Sequence, residues 1–232
     1  SDPGLMRNLV SLLIEQNRRS EAITLLEDTV SSQDEPEADL WALLGDLRAA
    51  QEGTSAPAEA VEAYAQALAA NPDYTPALMG MAEAQLAMGQ AGSAKAFIDQ
   101  YLRLQPEDTA ALNMKAAVIA QTGVRTDEGI EAIERAIAIT ERPEYFLTRG
   151  LLRMQKASYR EALQDFRRFA DTQIALPGDI ELQMAQAYAE LGETEMAKRH
   201  LATAKERAEE GEALNRSLLA QVEGRLAGDG AS

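Results

Sequence analysis

The chain has 232 residues, enough for one sizeable domain or for an elongated array of small units. With 38 acidic against 22 basic residues its formal charge is −16, which argues against binding nucleic acid or an anionic membrane surface. It has no cysteine, which excludes disulfides, thiolate metal sites and cysteine nucleophiles.

Alanine abounds while aromatics and valine are few, a composition that favours helix. The opening SDPGLMRNLVSLLI does not read as a signal peptide, because Arg7 and Asn8 interrupt its apolar part. No run approaches the roughly 20 apolar residues of a membrane helix. The compartment stays open between cytoplasmic and periplasmic or envelope-associated. Alanine richness and arginine in excess of lysine suggest a bacterial source.

In chain order, six helices share one internal pattern: EAITLLEDTV from Glu21, EAVEAYAQAL from Glu59, SAKAFIDQYL from Ser93, EGIEAIERAI from Glu128, EALQDFRRFA from Glu161 and EMAKRHLATA from Glu195. Each holds a small residue: Ala22, Ala60, Ala94, Gly129, Ala162 and Ala197, separated by 38, 34, 35, 33 and 35 residues. Four positions later comes a large one: Leu26, Tyr64, Ile98, Ile133, Phe166 and Leu201. That spacing puts both on one helical face, the small residue admitting a close neighbour and the large one filling the groove beside it. Another helix precedes each, ending near Asn17, Gln51, Gly89, Gly123, Lys156 and Gly192, with core pairs such as Leu44-Gly45, Met81-Ala82 and Met184-Ala185.

These features resemble the tetratricopeptide repeat, W-x2-L-G-x2-Y, then A-x3-F, then P. The second repeat matches it with Trp41, Leu44, Gly45, Ala60, Tyr64, Ala67 and Pro72, and the fifth with Gly150, Tyr159, Ala162 and Phe166. The resemblance implies an all-α fold, a right-handed α-α superhelix of six helix-turn-helix repeats. The expected boundaries are about 5–36, 37–72, 73–107, 108–142, 143–177 and 178–210. A capping helix is expected over 211–226, from the Leu214, Leu218, Val222 and Leu226 stripe. Residues 1–4 and 227–232 are expected to be disordered. Extra residues in EGTSAPAE, Glu52 to Glu59, should make that turn protrude, and Tyr101 and Phe169 should widen the helix spacing where Ala67, Ala136 and Ala204 stand elsewhere.

Few residues point to chemistry. The only histidine, His200, has no second His or Cys to work with and reads as a surface residue. The acidic DEPEAD from Asp34 reads as a negatively charged helix start. There is no calcium-loop spacing and no phosphate-binding glycine motif. The sequence therefore predicts no enzyme, no cofactor and no metal.

What remains is surface. Such a fold implies a concave face lined by the first helix of each pair. The candidate groove comprises Asp46, Met79, Glu83, Leu86, Asn113, Leu147, Leu151, Met154 and Gln186, with Arg7, Ser11, Ala42, Ala117 and Leu182 beside them. Of the methionines in NPDYTPALMGMAEAQLAMGQ, Met81 is assigned to the core, Met88 to the turn and Met79 to the groove. Some relatives clamp a C-terminal carboxylate with Lys, Arg and Asn. Asp46 and Glu83 would repel one, and Lys115 alone does not rebuild that clamp.

The expected partner is a protein or peptide, an apolar and basic segment such as an amphipathic helix, held in assembly, transport or secretion of a bacterial complex. A monomer is expected. The alternatives are a self-assembling structural scaffold, which a capped end disfavours, and the interaction domain of a longer membrane-anchored protein.

Overall fold

A computed structural model describes residues 3–35, 37–172 and 176–228. Among them there are thirteen helices and no strand. They divide into two compact units, Ser1–Ala111 and Leu112–Ser232.

The first unit holds α1 (Pro3–Glu15), α2 (Arg19–Ser31), α3 (Ala38–Ala49), α4 (Ala56–Ala70), α5 (Thr75–Ala87) and α6 (Ala91–Leu104), plus the first turn of α7 (Thr109–Thr122). The second continues through α8 (Thr126–Ile139), α9 (Pro143–Gln155), α10 (Tyr159–Ala170), α11 (Gly178–Glu190), α12 (Thr194–Glu209) and α13 (Arg216–Gly228). The helices form six consecutive pairs and a final single one.

Within each unit, residues with small side chains set how closely helices approach. Ala22, Ala60, Ala94, Ala162 and Ala197 are all fully buried, and so are Leu26, Ile98, Ile133 and Phe166 of the large set. The tightest case is Tyr64. A Cβ on Gly45 would lie 2.5 Å from its ring, and one on Gly80 would lie 2.3 Å from it. Tyr64 thus packs into α3 of its own pair and into α5 of the next, where only glycine leaves room. In the second unit Gly150 does the same for Phe166, at 2.6 Å.

Turns between paired helices are closed by a left-handed residue: Asn17, Gly89, Gly123, Ala157 and Gly192, with φ between 55° and 75°. This conformation lets orphan carbonyls of the preceding helix be capped, as in Ser158 N–H to Arg153 O at 2.9 Å. At position 157 alanine fills the role; Arg125, at φ 64°, takes the same conformation just before α8, and the α3–α4 turn has Gly53 at φ 134° instead.

The thirteenth helix closes the second unit. Asn215 Oδ1 caps it by accepting from Leu218 N–H, 3.1 Å, and Asp179 Oδ1 accepts from Asn215 N–H, 3.0 Å. Glu212 Oε2 accepts from Gly178 N–H at 2.6 Å, tying the same loop to the start of α11. Leu218, Val222 and Leu226 are buried in one core with α11 and α12.

Three expectations need correction. Residues 3 and 4 are already helical, and α13 extends to Gly228; residues 1–2 and 229–232 lie outside the described residues. The stretch 52–59 protrudes less than its length implies, because Ala56 to Glu59 form the first turn of α4. Pro57 suits that first turn, where its fixed φ helps and its missing N–H costs nothing, and Ala56 is buried. Met88 is 41% exposed and does not fill its turn.

Candidate functional site

In the first unit, Asp46, Met79, Glu83 and Leu86 lie on α3 and α5. Met79 and Leu86 are half-buried and Glu83 is exposed. Asp46 Oδ1 accepts a hydrogen bond from Tyr64 Oη–H at 2.7 Å. Burial pushes the Asp46 carboxyl above its ordinary pKa, outweighing that bond, and burial together with Asp46 pushes the Tyr64 phenol far up. Asp46 therefore supports Tyr64 as well as presenting charge. Ala42, expected beside the groove, is core.

In the second unit, Leu151, Met154 and Gln186 meet in one cleft of about 400 Å³. Leu151 and Met154 give it an apolar lining, while Gln121, Gln155, Gln183 and Gln186 supply amides. Ala117, Ala120 and Thr148 complete the lining, so no charged side chain contributes. In a chain of charge −16 such a neutral patch is distinctive. Gln155 is itself held: its amide donates to Ala120 O, and Thr126 donates to its carbonyl at 3.1 Å.

Leu147 is half-buried and packs against the core of this unit, outside the cleft lining. Leu182 is fully buried and belongs to that core. Asn113 is half-buried, and its Oδ1 has no hydrogen-bond partner among the described residues. Lys115 is paired with Glu128 at 2.7 Å.

His200 is not the surface residue its isolation implied. Its ring stacks on Tyr188 with centroids 5.1 Å apart, and Nδ1 lies 2.6 Å from Glu181 Oε2. Arg167 donates to the Tyr188 hydroxyl at 2.6 Å, so the cluster ties α10, α11 and α12 together. Among the described residues no group of three or more His, Asp or Glu could hold a metal ion.

A larger cleft of about 730 Å³ in the first unit was not anticipated. Its lining includes Trp41, Tyr74, Arg7 and the carboxylates Glu35, Glu37 and Asp39. Arg7 donates to Asp39 Oδ2 at 2.6 Å, and this pairing raises the guanidinium pKa further. Burial pushes the Tyr74 phenol up, opposed by Arg7. The available signal was DEPEAD, separated from Trp41 by Leu40 alone, which reads as a helix start until the fold brings Arg7 and Tyr74 beside it.

Comparison with known proteins agrees with this architecture. Residues 50–118 match the tetratricopeptide repeat family. The fold is of the tetratricopeptide-repeat type, and three solved structures show how far the likeness extends. PilF of Pseudomonas aeruginosa is similar at 16% identity and a TM-score of 0.69, covering 95% of this chain and 96% of its own. PilW, described as a widely conserved type IV pilus biogenesis factor, is 16% identical with a TM-score of 0.68, over 94% of this chain and 97% of its own. YrrB, described as a TPR protein with an unusual peptide-binding site, is 16% identical with a TM-score of 0.67, over 85% and 97%. At these identities the likeness is one of fold. No curated protein matches the sequence. No described helix is long and apolar enough to cross a membrane.

Proposed function

We propose that this chain is a non-enzymatic protein-interaction scaffold whose second unit holds a protein or peptide segment by an apolar anchor. One observation supports this most: the cleft where Leu151 and Met154 are joined by four glutamine amides and no charge. Apolar lining gives such a cleft affinity, and amides fix the orientation of a bound main chain. Met154, 9% exposed and part of the second unit's core, forms the floor of the cleft, and the half-buried Leu151 is the more accessible anchor. The basic residues expected of a partner have no counterpart in this cleft. A role in assembling a bacterial complex is supported by fold analogy with PilW, and the analogy reaches no further than the fold.

The test is a peptide-display selection on the immobilised chain, repeated with Leu151→Glu. Selected peptides should share an apolar residue and lose at least about tenfold in affinity for the variant, with helicity and melting retained. Equal affinity for both proteins would remove this cleft from the reading. Met79→Glu, tried separately, reports whether the α5 surface of the first unit takes part.

Self-association is the second reading, favoured by the exposed Leu5, Leu9 and Leu12 of α1, which lie on one helical face. Light scattering across a concentration series decides it: a monomer throughout rules it out.

A further inference from the structure

We propose that the first-unit cleft receives a lysine or arginine side chain from a protein partner. It goes beyond the neutral cleft of the second unit and does not depend on it.

Three observations converge. Three carboxylates line the cleft against one guanidinium, and that guanidinium, Arg7, is already engaged by Asp39 at 2.6 Å. Glu35 and Glu37 are exposed and have no ion-pair partner among the described residues. Trp41 and Tyr74, both half-buried, supply aromatic surface in the same space, and aromatic faces attract cations.

Carboxylates at the start of α3 also suit the positive end of its dipole. That explains negative charge near the helix terminus, but neither the aromatic pair nor an open volume of about 730 Å³. Arg7 shows the chemistry at work, because the cleft already binds one guanidinium from its own chain. An anionic or purely apolar ligand would leave Glu35 and Glu37 facing it uncompensated.

Trp41 is the only tryptophan, so its fluorescence reports on this cleft in the full chain without knowledge of the natural partner. The probe is a capped pentapeptide of alanines with one central arginine, compared with the same peptide carrying citrulline, which keeps the shape and removes the charge. The arginine peptide should shift Trp41 emission saturably, the citrulline peptide should bind at least about tenfold more weakly, and added salt should weaken the first. The double substitution Glu35→Gln, Glu37→Gln, at exposed positions, should cost a similar factor while circular dichroism shows an intact fold. Leu151→Glu should leave the response unchanged. Identical isotherms for the two peptides, or no saturable response by about 10 mM, would overturn the proposal.

Discussion

Ala157 occupies, at φ 55°, a conformation that the turns at Asn17, Gly89, Gly123 and Gly192 give to glycine or asparagine. Its Cβ crowds the neighbouring carbonyl there, at a cost of about 1 kcal/mol. Ala157→Gly should therefore stabilise the protein by about 0.5–1 kcal/mol, read as a higher urea midpoint. The helix glycines behave oppositely according to what faces them. Gly45→Ala or Gly80→Ala would drive a methyl into the Tyr64 ring, with a net loss of about 2 kcal/mol and a melting temperature roughly 4–8 °C lower. Gly92→Ala, in α6 with nothing within 4 Å, should instead gain up to about 1 kcal/mol. If Gly80→Ala melted like Gly92→Ala, the close packing of Tyr64 would be wrong.

Between elements, charge does what small residues cannot. Asp165 of α10 is 1% exposed and joins two arginines of α9: Arg149 through Nε at 3.0 Å and Nη2 at 2.7 Å, and Arg153 at 2.6 Å. Asp165→Ala leaves both guanidinium groups half-buried without their acceptor, a loss of about 3–5 kcal/mol by denaturant titration. Asp108 performs a different task, accepting from Ala110 and Ala111 N–H at the start of α7 and from the Tyr101 hydroxyl at 2.7 Å. Burial would raise its pKa, but these three bonds bring it below the ordinary value. Its stabilisation is thus present above the unfolded pKa and is lost as pH falls through the lower folded one. Tyr101 has the reverse sign. Burial and Asp108 push its phenol up to about 12, so its contribution is complete below pH 10 and fades as pH rises toward 12. Stability should decline across that alkaline window, and Tyr101→Phe should flatten the decline; an unchanged slope would show that Tyr101 titrates normally.

At the scale of the whole molecule, the pairing of helices was legible because each helix repeats its own packing face. Ala22, Ala60, Ala94, Ala162 and Ala197 are buried for the reason their spacing announced. The candidate site was less legible. Helical phase brought out Leu151, Met154 and Gln186, but it also offered Leu182 and Ala42, which neighbouring helices cover. Periodicity tells which side of one helix a residue takes, and not what the adjacent pair lays over it. The Trp41 cleft escaped for the same cause, since Arg7 and Tyr74 reach it from the neighbouring pairs, while His200 meets Glu181 and Tyr188 across its own pair, α11 and α12. The end of the chain offers a test at this scale. Truncation after Gly211 removes the cover that Leu218, Val222 and Leu226 give α11 and α12, and should destabilise the second unit by about 3 kcal/mol and promote its aggregation. An unaltered melt would show that α13 is dispensable.

The tie between Glu212, Asn215 and the start of α11 has a consequence for how such a chain can change in length. A seventh pair added after α12 would need the surface α13 already covers, and would have to break two hydrogen bonds to reach it. Lengthening this array by a pair inserted between existing ones would leave these contacts intact, whereas lengthening it after α12 would not.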